Sequence, residues 1–259
     1  MSATKRYIIY NGELQQWQPS EEVYLYQNIH TLAYRAWHLK EHLEILTYSA
    51  QTLFGLNISL SQQAIAKQIE VLLDTLRLSR NVSICVVMRL YATGDYSLHV
   101  EQVSIYSGYV LRSLRPIVQC VKMDVALNTY PSSALQASYA LAHKIALSKC
   151  YHQAIMINSA GYVVEDPLHP VATIKEYTIS IPRPTVCSVE CMLLERAAER
   201  RNLNVEYREI SLLDITDADE VLIMTYQGIT SVAQINNKHY FTSLADKIAS
   251  ELSRETFSE

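Results

Sequence analysis

The order of the hydrophobic patterns constrains this chain most, because its two halves mix strands and helices differently. Tyr7 to Tyr10 reads as a strand entering the tight turn Asn11-Gly12, with the return strand beginning at Glu13-Leu14. Val23 to Tyr34 alternates loosely and is rich in tyrosine, which fits a strand. His42, Leu43, Leu46, Ser49, Ala50 and Leu53 then recur at helical spacing, and Gly55 follows as a stop. A second amphipathic helix starts after the cap Ser61 and buries Ile65, Ile69, Leu72, Leu73 and Leu76. Val82 to Leu90 is an apolar run of strand type, and Tyr96 to Tyr106 alternates like a partly exposed strand. This half reads as α+β.

Arg112 to Asp124, with Pro116, reads as the crossing between domains, which divides the chain into 1–115 and 116–259. Beyond it a helix starts at Pro131-Ser132-Ser133 and runs to about Lys149. Strands are expected at Gln153 to Asn158 and Tyr162 to Glu165, around the Ala160-Gly161 turn, and one more across Thr173 to Ser180. A helix from about Cys187 to Arg201 precedes a strand from Asn204 to Glu209. Val221 to Thr225 and Val232 to Ile235 are further strands, Asn236-Asn237 is a turn, and Phe241 to Leu252 is a closing helix. This half reads as α/β.

Composition excludes several classes. A chain of 259 residues that is 49% hydrophobic and 19% charged is globular rather than disordered. A net charge of −4 creates no field that attracts nucleic acid or an anionic membrane. MSATKRYIIYNGE holds no long apolar run, so neither a signal peptide nor a membrane span is expected, and a cytoplasmic location is.

The five cysteines are scattered. Cys187 and Cys191 are spaced i, i+4 without a second His/Cys pair, which suits buried thiols better than a metal site. His38 and His42, with Glu41 between them, lack the glutamate directly after the first histidine that a metalloprotease helix needs. No metal is expected, and nothing near Cys191 marks it as a nucleophile. Tyrosine outnumbers phenylalanine 18 to 3, consistent with a cleft lined by phenols or simply with half-buried strands. Glu195, Arg196, Glu199, Arg200 and Arg201 read as a solvated helix face. Only 6 glycines leave few places where backbone can approach a phosphate closely.

Local motifs taken in order resemble one family. Tyr10-Asn11-Gly12-Glu13, Glu41-His42-Leu43-Glu44-Ile45-Leu46 with Tyr48-Ser49-Ala50, Ala154 through Glu165, Ala218-Asp219-Glu220-Val221 and Ile229-Thr230-Ser231-Val232 match class IV aminotransferases. That family includes branched-chain and D-amino-acid aminotransferases and aminodeoxychorismate lyase. The resemblance implies a D-amino-acid aminotransferase-like fold: an α+β N-terminal domain plus an α/β C-terminal domain. It further implies a pyridoxal 5'-phosphate (PLP) cleft between the domains and a homodimer.

The implied site residues depart from the family pattern. The Schiff-base lysine falls on Ser132, or on Gln136 if a short gap is inserted. Lys144 lies twelve residues beyond Ser132, about 18 Å along a helix, too far to substitute. The phosphate-binding arginine falls on Ile45. The helix N-terminus that cradles phosphate falls on Ser188 and Val189, followed by Glu190, whose carboxylate repels phosphate there. Glu165 matches the glutamate that pairs with the pyridine nitrogen, and Thr225 a phosphate-contacting hydroxyl.

The expectation is a degenerate homologue without PLP-dependent transaminase activity or bound cofactor, serving as a binding or structural module with a small molecule in the interdomain cleft. The alternatives are an active aminotransferase or aminodeoxychorismate-type lyase using another lysine, and a different enzyme with Glu165 as acid or base.

Overall fold

The structure, a computed structural model, describes residues 7–17, 22–183 and 188–258, with side chains through 254. It divides into two compact units, Met1–Gly108 and Tyr109–Glu259.

The first unit contains β1 (Tyr7–Tyr10), β2 (Glu13–Gln16), β3 (Tyr24–Leu32), β4 (Arg35–Ala36), α1 (Leu39–Phe54), α2 (Gln62–Thr75), β5 (Ile84–Tyr91) and β6 (Tyr96–Val103). The strands form one antiparallel sheet in the order β2-β1-β6-β5-β3-β4. Asn11 (φ 46) and Gly12 (φ 90) both take the left-handed region that the β1–β2 turn requires. α1 packs on β3, and α2 on β1, β4 and β6. Their stripes, including Leu46, Ile65, Ile69, Leu72 and Leu73, are fully buried, as are Leu25, Ile29, Val86, Met88 and Leu98 of the sheet. Gly55 closes α1 in the left-handed conformation and Ser61 accepts the Ala64 N–H at the start of α2, both as the sequence implies.

The second unit contains β7 (Val110–Leu111), β8 (Ile117–Lys122), α3 (Ser133–Ser148), β9 (Gln153–Ile157), β10 (Val171–Lys175), β11 (Thr178–Ile181), α4 (Val189–Arg200) and β12 (Asn204–Tyr207). It continues with α5 (Leu212–Asp217), β13 (Glu220–Thr225), β14 (Gly228–Ser231), β15 (Gln234–Ile235), β16 (Lys238–His239) and α6 (Ser243–Ser258). One sheet runs β12-β11-β10-β13-β14-β7 and a smaller one β16-β15-β8-β9.

From Ala154 to Ile157 β9 is apolar because both of its faces are covered. Ile155 and Ile157 enter a core with Val118, Val221 and Ile223, whereas Ala154 and Met156 meet Leu135, Ala142 and Ala146 of α3. Gly228 is required where β14 meets β7: it sits at φ +114, and a Cβ there would lie 2.3 Å from the Val110 carbonyl oxygen. The buried carboxylate of Glu220 accepts N–H bonds from Leu244 and Ala245 at the start of α6 (2.8 and 2.9 Å), which explains a charge inside β13.

Several expectations are corrected. Ile117–Lys122, within the supposed crossing, is a strand paired in parallel with β9. Tyr162 to Glu165 is held by isolated bridges, Ile157 to Val163 and Tyr162 to Ser211, instead of forming a regular strand. The strand expected over Thr173 to Ser180 is a hairpin, because Glu176 adopts φ 53 and turns the chain. Cys187 lies outside the described residues, and α4 starts at Val189.

Candidate functional site

Among the described residues, the second unit carries the cofactor positions that the resemblance implies, Ile45 excepted, and, Thr225 aside, they fall in three settings. The first is built after β9. Asn158 Oδ1 accepts the Tyr162 N–H at 2.9 Å and closes the turn around Gly161. Val163 and Val164 then donate backbone N–H bonds to Ile210 and Met156 (2.8 and 2.9 Å), which fixes the extended path to Glu165. Glu165 lines an open pocket of about 720 Å³ together with Asn128, Tyr162, Arg183, Tyr207 and Arg208. Arg208 is already committed: its Nε bonds Glu206 at 2.7 Å and its Nη1 bonds Asp214 at 3.0 Å. Asp214 in turn completes the capping box with Ser211 that starts α5. Arg208 therefore stiffens the wall, while Arg183 is exposed at the pocket.

The second setting is the start of α3. Ser132, 4% exposed, is its N-cap, and its Oγ accepts the Leu135 N–H at 3.3 Å. That is what a serine preceded by proline does well at a helix start. Gln136 lies half-buried one turn later. Neither residue lines the Glu165 pocket.

The third is the N-terminus of α4. Ser188 Oγ accepts the Cys191 N–H at 3.1 Å, Val189 is the first helical residue, and Glu190 follows, 2% exposed. Burial pushes the Glu190 carboxyl up from 4.5 to about 7, against the lowering effects of a backbone hydrogen bond and of His169. Burial depresses His169 too, but the charge and hydrogen bond of Asp166, joined by Glu190, outweigh it and leave the imidazole pKa raised. Asp166 Oδ2 lies 3.1 Å from His169 Nδ1, and its Oδ1 accepts the N–H groups of Leu168 and His169 at 3.0 and 3.1 Å. The His169 ring stacks flat on Tyr139 of α3, with centroids 4.0 Å apart. Tyr139 Oη accepts a hydrogen bond from Gln153 Nε2 at 3.1 Å. Sequence reasoning passed over this largely buried Asp166–His169–Glu190 group. The only local signal was an aspartate three residues before a histidine.

The remaining positions are structural. Thr225 Oγ1 accepts the Gln227 N–H at 3.2 Å and shapes the β13–β14 turn, and Thr225 does not line the Glu165 pocket. Ile45 is buried in α1. His42 Nδ1 lies 2.7 Å from Gln27 Oε1, and burial, with the neighbouring His38 and His30, lowers its pKa to about 3, so the ring is neutral. Among the described residues no group of three His, Cys, Asp or Glu is placed to hold a metal. Among them, too, no helix is long and apolar enough to cross a membrane.

The architecture is shared with solved structures across nearly the whole chain. A branched-chain aminotransferase from the archaeon Thermoproteus uzoniensis, solved with norvaline, matches with a TM-score of 0.79 at 14% identity, covering 98% of this chain and 95% of that one. An aminotransferase from Brucella abortus bound to PLP gives 0.77 at 13% identity, covering 97% and 99%. The branched-chain amino acid aminotransferase of Escherichia coli gives 0.74 at 14%, covering 98% and 94%. Identities this low speak for the fold alone. A search of curated protein sequences found no match. The sequence profile described as amino-transferase class IV, however, matches residues 25–235, most of both units. On that match, this chain belongs to the class IV aminotransferase family.

Proposed function

We propose that this chain is a class IV aminotransferase homologue that does not catalyse PLP-dependent transamination and that binds a small polar molecule at the Glu165 pocket. One observation carries the reading: no lysine lines that pocket, and Ser132, where the resemblance places the Schiff-base lysine, spends its hydroxyl on capping α3. PLP supplies an electrophilic carbonyl and an electron sink, and its enzymes hold it through a lysine amine that also moves the substrate proton. Among the described residues every lysine is exposed. Lys175 donates to the Asp217 carbonyl and to Asp219.

The phosphate end fits no better. At the N-terminus of α4 the Cys191 N–H is already given to Ser188 Oγ, where a phosphate would need it. Ile45 offers an apolar side chain where the resemblance places a guanidinium. The residues present therefore do not fit PLP as the family holds it. Glu165, Tyr162 and Arg183 line this pocket together, giving it a carboxylate, a phenol and a guanidinium that suit a polar ligand. The competing reading, an active aminotransferase or lyase, is favoured by the family match and by Glu165. We also take the protein to be a cytoplasmic homodimer, which light scattering on purified protein and cell fractionation test.

Incubation with PLP and a panel of L- and D-amino acids, followed by visible absorbance, separates the two readings. The proposed function predicts no conversion of PLP to its amine form beyond the rate without protein. Catalytic conversion with any donor establishes the enzyme instead.

A further inference from the structure

A second pocket in the same unit shares no residue with the one at Glu165. It holds about 290 Å³ and lies between the segment after β7, the face of α3, the start of β9 and strand β14. Leu114, Pro116 and the Tyr139 ring supply its apolar walls. Its polar lining includes one guanidinium and several groups able to donate, and no carboxylate.

Arg112 lines the pocket, and no carboxylate pairs with its guanidinium among the described residues. Tyr139 Oη already accepts from Gln153, so its own proton is available to donate. The backbone N–H of Ile117 donates to Nδ1 of His152 at 3.0 Å, which leaves the neutral ring with its proton on Nε2. Thr230 also lines the pocket. It is 3% exposed, and its hydroxyl has no hydrogen-bond partner. His143, one helical turn from Tyr139, has a buried Nδ1 in the same condition. A buried hydroxyl left unsatisfied destabilises the fold, so such a group beside a cavity implies something to bond there.

No acidic side chain lines this pocket. The acid that bears on it from behind is Asp166, whose charge reaches Tyr139 but whose oxygens are taken by His169 and Leu168. An unpaired guanidinium, several donors and no acceptor-rich rim select against cations and for an anion. The apolar walls ask for a compact hydrophobic body on that anion, and the volume limits it to about ten heavy atoms.

We propose that this pocket binds a small monocarboxylate with a compact apolar body, its carboxylate on Arg112 and Thr230 and its body against Leu114, Pro116 and Tyr139. The proposal does not depend on the reading of the Glu165 pocket.

Isothermal titration of the full chain with benzoate, and separately with inorganic phosphate, tests it on wild type, Arg112→Gln and Thr230→Val. Saturable 1:1 benzoate binding is expected, weakened about tenfold or more in Arg112→Gln through loss of a charge-assisted contact. Thr230→Val should weaken it by roughly three- to tenfold, the value of one neutral hydrogen bond. Near-UV circular dichroism and Tm confirm that each variant is folded. Thr230→Val keeps shape and removes an unsatisfied group, so it remains informative if Arg112→Gln fails to fold. Absence of saturable benzoate binding, equal affinity in all three proteins, or binding of phosphate alone would each overturn the assignment.

Discussion

Replacing Glu190 by glutamine removes a carboxyl group that the fold prefers protonated. Burial raises its pKa from 4.5 to about 7, so between those values the folded chain keeps a proton that the unfolded chain has released. Stability must then fall as pH rises: the contribution is complete below about 4.5 and gone above about 7. At about 1.4 kcal/mol per pH unit, the shift amounts to about 3 kcal/mol. His169 acts in the same direction. Its pKa is raised, so the stability it adds is complete below 6.5 and lost as pH rises through its higher folded value. His42 acts oppositely, because a pKa lowered to about 3 gives stability that is lost as pH falls below 6.5. His42 is common to wild type and Glu190→Gln, so its effect cancels in the difference between them.

Urea unfolding of both proteins at intervals from pH ~4.5 to ~8.5 measures that difference. Wild-type stability minus that of Glu190→Gln should drop by about 2–3 kcal/mol across the range, most of it before pH 7. A difference that stays constant within about 0.5 kcal/mol would refute the claim that Glu190 is buried and protonated at the α4 terminus.

Two further substitutions probe the scaffold around the sites. Gly228→Ala places a Cβ 2.3 Å from the Val110 carbonyl oxygen at φ +114, so it should cost more than about 2 kcal/mol in denaturant unfolding; a neutral result would contradict the close approach of β14 and β7. Ser211→Ala removes the acceptor of the α5 capping box and should cost about 1 kcal/mol, while leaving the Arg208–Glu206 pair intact.

Much of the fold was legible where a short stretch carries its own instruction. Asn11-Gly12, Gly55 and Ser61 each bring the backbone chemistry of a turn or cap within a few residues, and all three act as read, whereas Ser132 and Ser188, read only as lying at helix starts, prove to be N-caps. The β10–β11 hairpin was missed because its turn uses Glu176 at positive φ, with no glycine or proline to announce it. α5 was missed because its six residues are too few for a helical period, although Ser211 and Asp214 stand in capping-box spacing. Glu165 was named through the resemblance alone, and it lines a pocket with Tyr162, Arg183 and Arg208. The Asp166–His169–Glu190 group could not be placed. Its contacts depend on α3 and α4 bringing Tyr139, His169 and Glu190 together across long stretches of chain. The Arg112 pocket was hidden for the same reason, being assembled from four distant segments.

The central claim is that this family scaffold no longer carries PLP chemistry. Its most direct test is borohydride reduction of the protein with PLP, followed by intact mass and peptide mapping. The account predicts no stoichiometric adduct, only the scattered low labelling of exposed lysines that Lys122 or Lys144 would give. A single stoichiometric adduct on one lysine would contradict it and identify the residue that holds the cofactor.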